Sequence, residues 1–353
     1  MAGNTIGNIF RLTTFGESHG DAVGGMVDGC PAGIELDFAR IDAFVNLRKS
    51  RQKYETSRRE SDEVRFLSGI FDGRTLGTPI AFIIENRQQN SEDYRILEDS
   101  FRPSHGDFTS FGKYGIRDWR GGGRCSARET AARVVAGAIA LQVLEKNGIS
   151  VVAYTHQIGN VRMRENMNFS AGDVAASKLH CPDHEAEKQM LVLLETAENQ
   201  EDTVGGVVEC RISGCPVGLG EPVFDKLSAD LAKAVMSIPS AKGFEFGSGF
   251  RSAEVKGSEY IDLFNEDFST KTNNSGGIQG GISNGMDIVF RVAFHPIVTL
   301  AMPVEVVTVS GTKKTVSIGG RHDCCQVPRA VPIVASMAAI TVLDNLLLQK
   351  NRI

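Results

Sequence analysis

Two copies of one tetrapeptide place a histidine beside serine, glycine and aspartate. Ser-His-Gly-Asp occurs at 18–21 and again at 104–107, and a third histidine–acid pair, His322-Asp323, follows further along the chain. Histidine is the side chain best suited to proton transfer near neutral pH, and an adjacent glycine lets the backbone approach a ligand closely. A turn with a polar tip is the alternative explanation for each copy. The repetition in glycine-rich surroundings makes a proton-transfer site as good an explanation as two polar turns.

A run of three glycines, residues 121–123, precedes two arginines and a predicted helix. Backbone N–H groups and the helix dipole converge where a helix begins, which suits a phosphate or another anion. Arg124 and Arg128 add planar, permanent positive charge. A capping box between Ser126 and Glu129 is the alternative that needs no ligand. Capping alone does not account for the glycines and arginines, so an anion site is favoured. The run is neither a Walker loop nor a dinucleotide fingerprint.

Further cations cluster in segments of low periodicity. They are Arg48, Lys49, Arg51, Lys53, Arg58, Arg59 and Arg102. Charge runs are usually solvated faces. Together with the glycine-rich segments, however, these cations predict a cationic pocket that would concentrate a polyanionic substrate.

Other chemistries have weaker support. A serine hydrolase is disfavoured because no Gly-x-Ser-x-Gly elbow stands between a strand and the main helix. His180 and His184 are four residues apart, but Pro182 argues against a shared helical face and no Cys-x-x-Cys pair exists, so we expect no metal. One Trp and five Tyr do not favour a base-stacking surface.

Composition sets the broad class of protein. The 353 residues carry a formal net charge of −5, which disfavours a general nucleic-acid binder, and 41% are hydrophobic, as in ordinary globular proteins. No uninterrupted apolar run long enough to span a membrane occurs, and the first twenty residues lack the pattern of a signal peptide. The seven cysteines are odd in number and scattered, so we expect reduced thiols and a cytoplasmic protein.

Hydrophobic periodicity predicts a mixed α and β chain. Helices are expected over 38–50, 127–146, 185–200, 225–236 and 331–349, and strands over 8–14, 22–28, 151–158, 204–213, 287–294 and 304–318. Residues 85–125 show little periodicity, and a long loop of this kind is usually functional.

The chain also repeats itself weakly. Gly-Cys-Pro-x-Gly occurs at 29–33 and 214–218, and a fourteen-residue pattern with identically spaced Gly, Ile and Phe occurs at 69–82 and 277–290. Chance repetition in a glycine-rich chain is the alternative. A true duplication, over about 20–150 and 204–349 within one domain of 1–353, predicts two related sheets around shared helices with the site between them.

Six segments resemble the chorismate synthase family, in the family's order and over nearly the whole chain. They are FGESHG (15–20), FRPSHGDFT (101–109), KYGIRDWRGGGRCSARETAARVVAGAIA (113–140), SIPSAKGFEFGSGF (237–250), NNSGGIQGGISNGMDIVFRVAF (273–294) and GRHDCCQVPRAVPIVASMAA (320–339). The resemblance implies an α+β fold, a β-α-β sandwich with helices between two antiparallel sheets. It also implies a homotetramer that converts 5-enolpyruvylshikimate 3-phosphate to chorismate and phosphate, with reduced FMN required and no net redox change.

The resemblance further implies roles for particular residues. His19 would protonate the leaving phosphate, His105 would lie beside flavin N1, and Asp323 with Ser126 would assist proton removal at flavin N5. Ser18 is a further catalytic candidate. Flavin contacts are implied for Arg124, Cys125, Ser126, Gly280, His295, Pro296, Ile297, Val298, Thr299 and Arg321. Substrate or NADP contacts are implied for Arg48, Lys53, Arg128 and Arg329.

Several positions depart from the family pattern. Cys125 replaces the usual Ser, Ser104 the usual Gly, and Cys324 the usual Pro. His295 replaces the usual Lys, so its flavin contact is expected to weaken as pH rises. Lys53 or Arg51 supplies the second cation of the early basic loop.

Three functions are compatible with these residues. The first is the phosphate-eliminating lyase of aromatic amino-acid biosynthesis, with flavin reduced at the expense of NADPH by an external reductase. The second is a flavin oxidoreductase with net hydride transfer, and the third is a non-catalytic protein that binds a phosphorylated metabolite. The resemblance favours the first.

Overall fold

A computed structural model describes residues 3–49, 62–87, 92–165, 167–300, 302–317 and 323–350. Its helices are α1 (Phe38–Asn46), α2 (Asp107–Tyr114), α3 (Thr130–Glu145), α4 (Ala171–Ala176), α5 (His184–Asn199), α6 (Leu227–Met236), α7 (Gly257–Tyr260) and α8 (Val327–Lys350). Its strands are β1 (Thr5–Ile6), β2 (Arg11–Phe15), β3 (Ala22–Asp28), β4 (Arg65–Phe66), β5 (Ile70–Phe71), β6 (Arg74–Thr75), β7 (Ile80–Glu85), β8 (Ser100–Phe101), β9 (Ser150–Ile158), β10 (Val161–Arg162), β11 (Gly206–Ser213), β12 (Ala241–Phe246), β13 (Ile278–Gln279), β14 (Ile282–Ser283), β15 (Ile288–Phe294), β16 (Val304–Thr308) and β17 (Lys313–Val316).

Two five-stranded antiparallel sheets form the outer layers. The first has the order β1-β2-β3-β7-β4 and the second the order β10-β9-β11-β15-β12. Alternate side chains face inward, as Ile80, Phe82 and Ile84 do in the first sheet and Ile288, Phe290 and Val292 in the second. Each sheet therefore presents one apolar face that must be covered.

Helices α3 and α8 fill the space between the sheets. Helix α3 contacts β2, β3 and β7 of the first sheet and β9 of the second, whereas α8 contacts α3, α6, β9 and β11. Both helices are buried on nearly all sides, because strands and other helices pack around them. This arrangement confirms the α+β sandwich expected from the family resemblance. Helix α8 has the length and hydropathy of a membrane span, but 89% of that window is buried inside the protein, as in a core helix.

The two halves share their connectivity. In the first half the hairpin β5-β6 precedes β7, which pairs with the central strand β3. In the second half the hairpin β13-β14 precedes β15, which pairs with the central strand β11. These hairpins fall in the repeated fourteen-residue pattern. The shared connectivity supports a duplication, which stays a proposal.

Some local predictions were wrong. Outside the gap at 88–91, residues 85–125 form β8, α2 and 3₁₀ turns at Glu92–Leu97 and Gly123–Cys125. Elements this short leave little periodicity to detect. Helix α3 begins at Thr130 rather than at 127, after a 3₁₀ turn over Ala127–Glu129. No reciprocal capping box forms there. Ser126 accepts a hydrogen bond from the Arg128 N–H, while the Glu129 carboxylate accepts from Thr14 and Arg133.

Candidate functional site

A cavity of about 350 Å³ opens where the helix layer meets the loops of both sheets. It lies at the amino-terminal ends of α3 and α8, so the positive ends of two helix dipoles approach it. Its charged lining within the described residues comprises Arg48, Lys49, Asp62, Arg102, Asp107, Arg128, Asp323 and Arg329. Five permanent cations against three carboxylates leave a wall suited to anionic ligands.

His19 lies in the loop between β2 and β3 and is only 6% exposed. Its Nδ1 lies 3.2 Å from the Ser18 Oγ, and the Tyr94 ring packs edge to face against the imidazole at 5.1 Å. Gly121 backs the ring so closely that an added Cβ would lie 2.1 Å from Nδ1. The first glycine of the glycine-rich run thus provides room for the first histidine.

His105 reaches the same cavity from the turn between β8 and α2. Its Nδ1 is 2.9 Å from the Pro103 carbonyl oxygen and its Nε2 is 2.8 Å from the Thr299 Oγ1. Both ring nitrogens are thereby oriented by the protein. The two Ser-His-Gly-Asp copies, far apart in the sequence, bring their histidines to one cavity.

Asp107, which follows this turn, holds two arginines. Its carboxylate accepts from the Arg102 Nε and Nη2 at 2.8 and 2.9 Å, and the Arg117 Nη1 lies 3.2 Å away. Burial alone would raise the pKa of Asp107, but the hydrogen bonds and charge of Arg102, with that of Arg117, hold it below its ordinary range. Asp107 is therefore a buried carboxylate kept ionised.

Asp323 lies just before α8 and pairs with Arg329 of that helix. The Arg329 Nε also donates to the Arg48 carbonyl oxygen at 2.8 Å. Arg48 and Arg128 in turn share the Asp62 carboxylate. The carboxylate implied to act in proton removal thus lies within a connected set of cations.

Most of the predicted site residues lie around this cavity. Its lining includes Ser18, His19, Arg48, His105, Cys125, Ser126, Arg128, Ile297, Thr299, Asp323 and Arg329. Within the described parts of the chain, the lining does not include Arg124, Gly280, His295, Pro296 or Val298. Lys53 and Arg321 fall outside the described residues.

Arg124 and Gly280 have other surroundings. The Arg124 Nη2 donates to the Thr14 Oγ1 at 2.8 Å and its Nη1 to the Gly16 carbonyl oxygen at 3.2 Å, so this side chain braces the loop that carries His19. Gly280 lies at the tip of the β13-β14 hairpin. Their implied flavin contacts stay predictions.

Sequence reasoning did not single out several residues of the lining. They are Asp62, Tyr94, Asp107, Ile238, Pro239, Ser240, Gln326 and Ile333. Asp107 is the last residue of the second tetrapeptide. Two of the segments that resemble the family, 237–250 and 320–339, contain Ile238, Pro239, Ser240, Gln326 and Ile333, so these five and Asp107 carried a signal. Asp62 and Tyr94 carried none.

The fold and cavity define an α+β sandwich protein with a cavity lined by two histidines and by more cations than carboxylates. A family model for chorismate synthase matches residues 10–347. The chain is 52% identical over 353 residues to the chorismate synthase of Phocaeicola vulgatus and 53% identical over 354 residues to that of Parabacteroides distasonis, with 99% of each chain covered. A crystal structure of chorismate synthase is similar, with a TM-score of 0.77 and 30% identity over 98% of this chain and 93% of the other. The chain belongs to the chorismate synthase family.

Proposed function

We propose that this enzyme eliminates phosphate from 5-enolpyruvylshikimate 3-phosphate in a 1,4 sense and gives chorismate, the last step of the shikimate pathway. The reaction is that of a carbon–oxygen lyase acting on a phosphate, requires reduced FMN and involves no net redox change. The observation that carries the proposal is the cavity in which two histidines lie among five permanent cations. A phosphate and two carboxylates on the substrate match such a wall.

The donor set of the cavity also fits a flavin nucleotide. Its cations suit a phosphate group, and Ile238, Pro239, Ile297 and Ile333 give it an apolar part that suits a flat ring. Cys125, Ser126, Ile297 and Thr299 are the lining residues proposed to hold the flavin. When bound, reduced FMN would supply the transient electron donation and the acceptor for the C6 hydrogen that the elimination needs.

The protein groups would then manage protons and charge. His19 Nδ1 or Nε2 delivers a proton to the departing phosphate, with Ser18 orienting the ring. His105, oriented by Pro103 and Thr299, holds a proton beside the flavin. Asp323, which pairs with Arg329, accepts a proton, with Ser126 assisting. Arg48, Arg128 and Arg329 bind the anionic groups of the substrate.

We further propose cytoplasmic homotetramers that receive reduced flavin from an external reductase at the expense of NADPH. Exposed apolar side chains on the second half support association of copies. They include Val217, Val223, Phe224, Phe250, Phe264 and Phe268, each more than half exposed.

The test is an anaerobic assay with dithionite-reduced FMN and 5-enolpyruvylshikimate 3-phosphate, followed by phosphate release and chorismate absorbance. Equal amounts of both products, with the flavin still reduced after many turnovers, would establish the lyase. Consumption of one NADPH per product would instead indicate the oxidoreductase. Binding of both ligands without product would indicate the binding protein.

Two variants connect this assay to the cavity. His19→Ala and His105→Ala are expected to lower turnover by about 10²- to 10⁴-fold, the usual contribution of a positioned proton donor. His184→Ala is the matched control, because His184 lies on α5 outside the cavity lining with its side chain 67% exposed. Full activity in His19→Ala and His105→Ala, with loss of activity in His184→Ala, would argue against the roles proposed for His19 and His105.

A further inference from the structure

One carboxylate in the cavity wall holds two of the proposed substrate-binding arginines. The Asp62 side chain is only 3% exposed and divides its two oxygens. Oδ2 accepts from the Arg48 Nη1 at 3.1 Å, and Oδ1 accepts from the Arg128 Nη1. A carboxylate is buried at high cost unless it is paired, so Asp62 has a specific place between these two guanidinium groups.

The other guanidinium nitrogens are also fixed by protein groups. The Arg48 Nε donates to the Thr130 Oγ1 at 3.2 Å and its Nη2 to the Ala127 carbonyl oxygen at 3.1 Å. Thr130 is the first residue of α3, and Ala127 begins the 3₁₀ turn that precedes this helix.

Arg128 is held from the first sheet. Its Nε donates to the Asn86 Oδ1 at 2.8 Å and its Nη2 to the Glu85 carbonyl oxygen at 3.1 Å. Asp62 is therefore the group that links an arginine anchored on α3 to one anchored beside β7. The planar fork of each guanidinium makes its orientation sensitive to every one of these contacts.

We infer that Asp62 is a positioning residue that presents Arg48 and Arg128 together to one anionic group of the ligand, the phosphate or a carboxylate of the proposed substrate. The inference rests on the proposed function for the identity of that ligand. The geometry of Arg48, Asp62 and Arg128 is independent of the proposed function, and the same arrangement would suit any phosphate-bearing anion.

The sign of the effect separates this role from simple charge balance. By Coulomb's law, removing a negative charge from beside two cations strengthens their attraction for an anion. If Asp62 only offsets the burial of the arginines, Asp62→Asn lowers thermal stability and the folded protein binds anions as tightly as before or more tightly. If Asp62 positions them, the same variant binds anions more weakly although its net charge is less negative.

The experiment is titration calorimetry at fixed ionic strength with two probes, inorganic phosphate and 5-enolpyruvylshikimate 3-phosphate. For each probe that the wild-type protein binds, Asp62→Asn is expected to raise the dissociation constant by a factor of at least about ten. Asp62→Glu keeps the charge but moves it by one methylene, and it is expected to raise the same constant by a factor of at least about three. In the reduced-flavin assay, Asp62→Asn is expected to raise KM about tenfold with kcat within threefold, since ligand binding rather than proton transfer is affected.

Asp183→Asn is the matched control. Asp183 is also a buried carboxylate paired with an arginine, Arg164, but it lies at the start of α5 outside the cavity lining. Its removal gives the same change in net charge, and the dissociation constants should stay within twofold of wild type.

An unchanged or lower dissociation constant in Asp62→Asn overturns the inference. If Asp62→Asn does not fold, Asp62→Glu decides, and wild-type affinity in that variant overturns it. Wild-type protein that binds neither probe also overturns it. Wild-type protein that binds phosphate but not 5-enolpyruvylshikimate 3-phosphate contradicts the proposed function alone, and the phosphate titrations still test Asp62.

Discussion

At the scale of single residues, the position of His19 depends on the lack of a side chain at Gly121. Gly121 has an ordinary backbone conformation, yet a Cβ there would lie 2.1 Å from the His19 Nδ1 and 2.9 Å from the Ser18 Oγ. The backbone could accept alanine, but the imidazole could not stay where it is. The glycine is thus required by the close approach of the ring rather than by its own dihedral angles.

Gly121→Ala is therefore expected to displace His19 and lower kcat by about 10²-fold, because an error of about 1 Å in a reacting group costs this much. Gly257→Ala is the control, since nothing lies within 4 Å of the added methyl and Gly257 lies on α7, outside the cavity lining. Steady-state kinetics and thermal melting of both variants check this. Full activity in folded Gly121→Ala would contradict the role given to the ring's position.

Cys125 is the one exposed cysteine of the seven, and it lines the cavity. Burial suppresses the reactivity of the other six thiols. It raises the pKa of both Cys181 and Cys324 to about 11. Native protein is expected to react with one equivalent of a thiol reagent, and Cys125→Ser with none. Bound 5-enolpyruvylshikimate 3-phosphate should slow the reaction. Rapid modification of two or more thiols in folded protein would show that the buried cysteines are accessible.

At the scale of elements, α3 and α8 approach closely where two small residues meet. A Cβ on Gly137 would lie 2.3 Å from the Ser336 Cβ, and Ser336 is fully buried. Each helix must also face a sheet, so neither can retreat without opening the core. The distance between these helices is consequently set by Gly137 and Ser336.

Gly137→Ala is expected to destabilise the protein by about 1–3 kcal/mol, the usual cost of overpacking a core, although alanine is the better helix former by about 1 kcal/mol. Gly112→Ala on exposed α2, where nothing lies within 4 Å of the added methyl, should stabilise instead. Denaturant unfolding of both variants measures the two effects. Equal shifts of the same sign would show that packing at the crossing is not limiting.

At the scale of the whole molecule, a buried histidine connects stability to pH. His156 lies on β9 of the second sheet and is 7% exposed. Burial lowers its pKa below the ordinary 6.5, against the pull of Glu209, whose Oε2 is 3.6 Å from Nδ1, while Arg291 and Arg162 act with burial. Below pH 6.5 the unfolded chain thus takes up a proton that the folded protein resists.

The free energy of unfolding should accordingly fall as pH drops below about 6.5, by at most about 1.4 kcal/mol per pH unit from this one group. Urea unfolding between about pH 8 and pH 5.5 measures the slope. His156→Gln is expected to show a shallower slope over the same range. Identical slopes in both proteins would assign the acid sensitivity to other groups.

The sequence by itself determined the elements whose pattern is local. Helix α3 follows an apolar-rich segment before Asn147-Gly148, and the central strands show their inward faces by alternation. The two Ser-His-Gly-Asp copies and the glycine-rich run predict proton-transfer and anion-binding chemistry, because those features depend on residue type and near neighbours. The family resemblance added the sandwich arrangement, which periodicity alone does not specify.

Only the tertiary structure decided which charged residues belong to the cavity. Arg124 and Arg128 stand four residues apart in one run, yet the first braces the loop of His19 and the second joins Asp62 in the wall. Asp62 gave no signal, because its role depends on contacts with arginines 14 and 66 residues away. Such ion pairs form only when the two sheets pack against the helices between them. They therefore cannot be predicted from the spacing of charged residues along the chain.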